Sequence, residues 1–158
     1  MNALILATIL VATTSQLVHG ACPEAPAGEN PWRQTGCRCY MAVNRLKNWY
    51  DASNDCTAMG GQLATLGEGQ KSDLRDVISN DMDFNTCSSV LWLGFTEKDR
   101  DDTEYFSLDG TTGLYNWLTN EPKNTPNEYD CASVHFGGGW LSYPCITTHC
   151  YACETASI

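Results

Sequence analysis

The sequence predicts an α+β fold, because helical patterns come first along the chain and strand patterns follow them. Apolar residues recur at helical spacing over Leu46–Met59, Gly60-Gly61 then marks a helix end, and a second helix is expected at Lys71–Ser79. The continuous apolar run Val90–Phe95 is typical of a strand buried on both faces. Nine cysteines among 158 residues add the expectation that disulfides hold this fold together.

Further strand patterns lie on both sides of these elements. They are Arg38–Val43, the weakly alternating Glu104–Leu108, the hairpin arms Cys131–Phe136 and Trp140–Tyr143 around a three-glycine turn, and a last strand at His149–Thr155. Residues 21–36 are rich in Pro and Gly and predict irregular structure. Residues 109–130 predict a long loop, and a compact domain normally carries such a loop only for function.

Length and charge restrict the classes of function. One domain accounts for the whole length, and 42% hydrophobic with 18% charged residues indicates a globular chain. The formal charge of −10, from 9 basic and 19 acidic residues, repels phosphate backbones and argues against nucleic-acid binding. An acidic surface suits cations, basic partners or mineral faces instead.

The first twenty residues have the pattern of an export signal. Their apolar run of ten, Ala3–Ala12, is too short for a bilayer, which needs about 20 residues. Val18 and Gly20 are acceptable at the −3 and −1 positions of a cleavage point before Ala21. The alternative is a buried amino-terminal helix. We therefore expect a signal peptide at 1–20, a secreted, extracellular domain at 21–158, and no membrane span.

All nine cysteines follow this cleavage point, which favours a disulfide framework. A structural zinc site is the rival interpretation, because Cys150 and Cys153 form a CxxC motif with histidines nearby. A second CxxC motif is missing from the sequence, and secretion disfavours reduced thiolates. Because nine is odd, one thiol is free or bridges to another chain, which allows a disulfide-linked dimer.

Short motifs spread along the chain carry a resemblance to a known family. They are Cys39-Tyr40; Trp49, Cys56, Gly61 and Leu63; Trp92-Leu93-Gly94-Phe95; Asn116-Trp117; Glu121-Pro122; Asp130-Cys131; Trp140 and Cys145; and Cys153-Glu154. Together they resemble the C-type lectin-like domain, with the best match over residues 37–154. The resemblance implies two helices with two small antiparallel sheets and a long loop region, all stapled by disulfides.

The same resemblance implies which cysteines pair. Cys87 and Cys150 have no obligatory counterpart in the family, and Cys150 is expected to join the last strand to the first through whichever of Cys37 and Cys39 does not pair with Cys22. The pairs implied by the resemblance are Cys56–Cys153, Cys131–Cys145, and Cys22 with Cys37 or Cys39. The first of these bridges closes a long loop and should stabilise the fold by a few kcal/mol. Cys87 is left as the expected odd thiol.

The primary calcium and sugar site of the family is degenerate in this sequence. Sugar-binding members hold Ca²⁺ with oxygens from an EPN or QPD triplet, a downstream acid, and an Asn-Asp pair after the hairpin tryptophan. The matching positions here are Glu121-Pro122-Lys123, Tyr129 and Leu141-Ser142, so Glu121 is the one clear ligand that is kept. The Lys123 ammonium would oppose a cation beside it. Calcium dependence at this site is therefore expected to be weak or absent.

Ligand binding is nevertheless expected at this end of the long loop. The candidate residues are Glu121, Lys123, Asn124, Glu128, Trp140 and Ser142. The sequence leaves open whether the Glu121–Pro122 bond is cis or trans.

An auxiliary calcium site is less clearly lost. The resemblance places its ligands at Glu97, Asp101, Asn124 and Asp130, which all carry side-chain oxygens. The alternative is a solvated acidic turn, because acidic runs are commonly of that kind. No cofactor is certain, and calcium at this auxiliary position is the one candidate.

The pattern as a whole indicates a binding protein. No nucleophile motif such as GxSxG occurs, so an enzyme is not expected. The leading hypothesis is recognition of glycans or microbial surface components. The alternative is a module on the same fold that binds a protein, ice or a mineral surface, and a glycan array with and without chelator discriminates between the two.

Overall fold

A computed structural model of the chain describes residues 20–66, 74, 79–97, 105–107, 116–123 and 128–158. These residues contain the strands β1 (Arg33–Thr35), β2 (Arg38–Lys47), β3 (Gln62–Leu63), β4 (Val90–Thr96), β5 (Phe106–Ser107), β6 (Cys131–His135), β7 (Trp140–Tyr143) and β8 (His149–Ala156), and the helix α1 (Trp49–Ala58). In this part of the chain no helix is long and apolar enough to cross a bilayer. The α+β class expected from the sequence is confirmed.

The first predicted helix is confirmed, but it begins three residues later than its apolar stripe. Strand β2 continues through Leu46 to Lys47, and Leu46 is half exposed there. The Asn48 side chain caps the helix by accepting a hydrogen bond from the Asp51 backbone N–H at 2.9 Å. Gly60, with a φ of +84°, follows the helix end, as the glycine pair predicted.

Two sequence expectations fall largely outside the described residues. Of the helix predicted at Lys71–Ser79, only Leu74 and Ser79 are described, and Leu74 is buried in the core. The long loop predicted at 109–130 is described only at 116–123 and 128–130. In the region predicted as a strand at Glu104–Leu108, β5 accounts for the two residues Phe106 and Ser107.

The two small sheets expected from the sequence are joined into one. Eight described strands form a sheet in the order β1-β2-β8-β4-β6-β7, with β3 on β8 and β5 on β4. The joint is the parallel pairing of β4 with β8, where Leu91 lies opposite Cys150 and Trp92 opposite Tyr151. Every other strand pair is antiparallel. The expectation of two separate antiparallel sheets therefore needs this correction.

Strand β4 lies at the centre because it has an apolar layer on both faces. Leu91, Leu93 and Phe95 belong to one buried cluster, which also contains Tyr105 and Trp140. Trp92 belongs to the other, with the α1 residues Trp49 and Cys56. The alternation of β4 side chains between two cores is the physical reason for its continuous apolar sequence.

Four disulfides fasten the strands. They are Cys22–Cys39, Cys56–Cys153, Cys87–Cys150 and Cys131–Cys145. The second and fourth are the core pairs implied by the resemblance, and Cys39 is the partner of Cys22.

The assignment of Cys87 as the odd thiol is wrong. Cys87 lies just before β4, and the parallel pairing of β4 with β8 brings this end of the strand to Cys150. The pairing of Cys150 with Cys37 or Cys39 is wrong for the same reason. The unpaired cysteine is Cys37, which is exposed in the turn between β1 and β2.

Candidate functional site

The candidate site lies where residues 116–123, here called the loop segment, follow the outer edge of β7. The Trp140 backbone N–H donates to the Asn116 carbonyl at 2.7 Å, and the Leu118 N–H donates to the Trp140 carbonyl at 3.0 Å. These two hydrogen bonds form a short parallel pairing between the loop segment and β7. The pairing covers the edge of the sheet and brings Glu121 to Ser142.

Glu121 is anchored to β7 through one of its two carboxylate oxygens. Its Oε2 accepts hydrogen bonds from the Ser142 backbone N–H at 2.9 Å and from the Ser142 hydroxyl at 2.6 Å. The Ser142 hydroxyl in turn accepts from the Lys123 backbone N–H at 2.9 Å. Because the Glu121 side chain is only 7% exposed, these bonds fix its position. The peptide bond between Glu121 and Pro122 is cis.

Lys123 supplies the positive charge beside this carboxylate. Its Nζ lies 3.9 Å from Glu121 Oε1, the oxygen opposite the one bound by Ser142. The same Nζ lies over the Tyr129 ring at 4.6 Å from the centroid, and 6.0 Å from the centroid of Tyr143. The ammonium is therefore held by a carboxylate and aromatic faces, and the Lys123 side chain remains 47% exposed. We call Glu121, Lys123, Tyr129, Ser142 and Tyr143 the lysine cluster.

The tryptophans next to this cluster support it from the core. Trp140 is 1% exposed, and its ring packs against Phe95 at 4.9 Å and Trp117 at 5.7 Å between centroids. Trp117 also packs against Tyr105 at 4.8 Å. The Tyr105 hydroxyl donates to the Tyr129 carbonyl, which fixes the backbone under the lysine cluster. Burial, and then the charge of Glu97, raises the pKa of Tyr105 well above its ordinary value, so the phenol stays a donor.

Comparison with known proteins places this geometry in a family. The family model described as the lectin C-type domain matches residues 45–155, which include α1, the central strand and the whole lysine cluster. The chain belongs to the C-type lectin domain family. A relative called "C-type lectin mannose-binding isoform" from Oxyuranus scutellatus is 26% identical over 129 residues, which cover 78% of this chain and 80% of the relative.

Solved structures show the same C-type lectin fold. A structure described as a calcium-independent type II antifreeze protein superposes with a TM-score of 0.67 at 22% identity, over 84% of this chain and 95% of that one. The carbohydrate-recognition domain of cow CD23, solved in the presence of an oligosaccharide, superposes with a TM-score of 0.69 at 20% identity, over 88% and 98% of the two chains.

The structure of this C-type lectin domain brings together only some of the residues that the sequence nominated. Glu121, Lys123 and Ser142 share one hydrogen-bonded cluster. Trp140 is buried and holds the loop segment. Glu128 is exposed on the surface, and Asn124 lies outside the described residues.

Two aromatic residues of the site were not nominated as ligand-binding residues. Tyr129 entered the sequence argument only as a lost acid, and Tyr143 only as the end of a predicted strand. Tyr143 is the last residue of β7, one position after Ser142, and this position on the edge strand is the signal that could have identified it.

The auxiliary calcium site can be examined only in part. Asp101 and Asn124 lie outside the described residues. The other two nominated residues are neighbours, because the Glu97 N–H donates to the Asp130 carbonyl at 2.9 Å. Within the described part of the chain, no group of three or more His, Cys, Asp or Glu side chains has the arrangement of a metal site.

Proposed function

We propose that this C-type lectin domain is a secreted, non-enzymatic binding protein that recognises carbohydrate hydroxyl groups without calcium. The domain occupies residues 21–158 after a signal peptide at 1–20 that is removed on export. The observation that carries the proposal is the position of the Lys123 ammonium, 3.9 Å from the Glu121 carboxylate that the resemblance assigns to calcium. The cation of the site is thus part of the chain.

The chemistry of this pair suits a diol. Glu121 Oε2 is occupied by Ser142, whereas Oε1 faces the ammonium. An ammonium offers three N–H donors and no acceptor, and a carboxylate oxygen is an acceptor only. Two neighbouring sugar hydroxyls can accept from Lys123 and donate to Glu121. Charge-assisted hydrogen bonds of this kind are stronger than those between neutral groups.

The aromatic residues of the lysine cluster add an apolar contact surface. The rings of Tyr129 and Tyr143 flank Lys123, and both residues are partly exposed. Aromatic side chains bury apolar area while their polar tip remains in water. The C–H face of a sugar ring can therefore pack on a tyrosine while its hydroxyls meet the ion pair.

The test is a glycan array performed with calcium and with chelator, on the wild type and on Lys123→Met. This substitution keeps an unbranched side chain of similar length and removes its charge. Lys47→Met, at the end of β2, is the matched control because it removes the same charge from another place. We expect binding that is insensitive to chelator, is lost in Lys123→Met and is retained in Lys47→Met. Binding that disappears with chelator contradicts the proposal.

The second candidate is recognition of a protein, ice or a mineral surface. The replacement of calcium by Lys123 favours it, because the same cluster lacks the coordination shell through which the family binds sugars. An array without any glycan signal, together with a folded protein, supports this candidate over the first.

A disulfide-linked dimer through Cys37 is part of the proposal. All nine cysteines are described, eight of them form internal disulfides, and Cys37 is exposed. Disulfides form and persist in an oxidising compartment, so an exposed thiol can bridge there to a second copy of the chain. We expect the secreted protein to migrate as a dimer without reductant and Cys37→Ser to migrate as a monomer. A wild type that migrates as a monomer without reductant contradicts the proposed dimer.

A further inference from the structure

A cavity lies at the turn of the β6–β7 hairpin, beyond Trp140 on the side away from Ser142. It has a volume of about 80 Å³. Its walls are mainly apolar, and we call it the hairpin pocket. Lining residues include Leu66, Leu74, Leu91, Val134, Asn116 and His135.

His135 gives this apolar pocket a defined hydrogen-bond donor. The Gly137 backbone N–H donates to His135 Nδ1 at 2.9 Å. In the neutral ring this bond assigns the proton to Nε2, which is therefore the remaining donor of the side chain. Gly137 is required for the arrangement, because a Cβ at this position would lie 2.9 Å from the same Nδ1.

Asn116 also lines this pocket. Its backbone carbonyl is held by the Trp140 N–H at 2.7 Å, so the residue is fixed against the hairpin. An asparagine side chain offers both an acceptor oxygen and N–H donors. Apolar walls, His135 and Asn116 thus meet in one pocket.

An exposed aromatic ring stands next to the pocket. Phe84 is 54% exposed, and its ring packs edge-on against Phe136 at 5.1 Å between centroids. Phe136 itself lines the pocket. A ring-shaped ligand anchored in the pocket thus has an apolar surface beside it.

We propose that the hairpin pocket binds the acetamido group of an N-acetylated sugar. The methyl group enters the apolar interior, the carbonyl oxygen accepts from His135 Nε2–H, and the amide N–H donates to the Asn116 side-chain oxygen. The volume agrees with this occupant: a cavity of about 150 Å³ holds benzene with its six carbons, and the acetamido group has four non-hydrogen atoms. This site is separate from the lysine cluster and does not depend on the function proposed for it.

The experiment compares two matched probes on the full secreted protein. Methyl N-acetyl-β-D-glucosaminide carries the acetamido group, and methyl β-D-glucoside has a hydroxyl in its place. Titrations are followed by saturation-transfer NMR and by backbone amide shifts. We expect saturation transfer to the acetyl methyl group and shifts centred on residues 134–140 with the first probe only. Equal responses to both probes overturn the proposal, and so do shifts confined to Lys123, Tyr129 and Ser142.

Three variants sharpen the result. His135→Phe keeps an aromatic ring but removes the N–H, and a lost hydrogen bond predicts about three- to tenfold weaker binding of the acetylated probe. Val134→Phe fills the pocket and should abolish the response. Lys47→Met, at the end of β2, should leave the response unchanged. Thermal unfolding establishes that each variant is folded, and unchanged affinity in folded His135→Phe overturns the proposal.

Discussion

Two buried carboxylates of this protein have opposite surroundings. Glu154 in β8 is fully buried, and its Oε1 accepts from Arg38 at 2.8 Å, Gln62 at 3.0 Å and Thr65 at 2.6 Å. Glu121 is nearly as buried, but it has one serine on Oε2 and a half-exposed lysine near Oε1. Three neighbours converge on one oxygen in the first case, whereas in the second a charged pair still faces solvent. The comparison separates a carboxylate that holds strands together from one that can meet a ligand.

The largest expected effect is the gain of calcium binding at Glu121. Lys123→Asn alone restores one oxygen and should bind Ca²⁺ no tighter than about millimolar, the weak end for protein sites. Restoring four positions (Lys123→Asn, Tyr129→Glu, Leu141→Asn and Ser142→Asp) should create a measurable site. For scale, a Kd of about 1 mM corresponds to a binding free energy of about −4 kcal/mol. Calorimetric titration measures both. Micromolar binding by the wild type that Glu121→Ala abolishes would show that the site is not degenerate.

The next effect in size concerns Glu154, the carboxylate that accepts three hydrogen bonds on one oxygen. Glu154→Gln removes the charge that Arg38 faces and disturbs the bonds from Gln62 and Thr65. We expect a loss of about 2–3 kcal/mol in the free energy of unfolding, less than for a fully buried pair because Arg38 is half exposed. Urea unfolding measures it, with Glu128→Gln on the exposed surface as the control. Equal stability of the two variants would contradict the comparison.

Glu121→Gln should destabilise the fold less than Glu154→Gln does, and it should weaken glycan binding. Its oxygen toward Ser142 can be kept by the amide, so we expect a loss of about 1 kcal/mol in the free energy of unfolding. The charge toward Lys123 is lost, so glycan binding should fall. Urea unfolding and the array together test this separation. A variant that is destabilised as much as Glu154→Gln, or that binds as the wild type does, removes the distinction between the two carboxylates.

The smallest effect is a pH dependence of stability that arises from His149, next to the lysine cluster. His149 packs against the rings of Trp92 and Tyr143, each at 4.7 Å, and burial lowers its pKa from the ordinary value of 6.5. The unfolded chain therefore takes up a proton that the folded protein resists. The contribution of neutral His149 to the free energy of unfolding is complete above about pH 6.5 and decreases as the pH falls below that value.

Urea unfolding at pH 7.5 and 5.5 tests this contribution. The wild type should lose more stability between the two values than His149→Gln. The same loss in His149→Gln as in the wild type would show that another group causes it.

The sequence predicted the parts of the fold that local patterns specify. The apolar run at Val90–Phe95 identified the central strand, and the glycines after Met59 identified the end of α1. The start of α1 was placed too early, because Leu46 fits the helical spacing although it lies in β2. The capping pair Asn48 and Asp51 is the local signal that corrects it.

Long-range features were less accessible. The parallel pairing of β4 with β8 joins residues about 60 positions apart. The spacing of residues along the chain does not specify which strands become neighbours in the sheet. The Cys87–Cys150 disulfide follows from that pairing and was therefore missed. At the candidate site, Glu121, Lys123 and Ser142 were found because they occupy positions of a known motif. The contribution of Tyr143 depends on ring packing, which has no spacing signature.

Strand β8 has a consequence for how the protein is made. It pairs with β2, β3 and β4, and it carries Cys150 and Cys153, whose partners lie 63 and 97 residues earlier. During synthesis from the amino terminus, all the other strands emerge before β8, one of the two middle strands of their sheet. Cys56 and Cys87 must remain reduced, or exchange out of wrong pairs, until β8 arrives. Correct assembly thus depends on oxidation that comes late and on thiol exchange in the compartment that receives the chain.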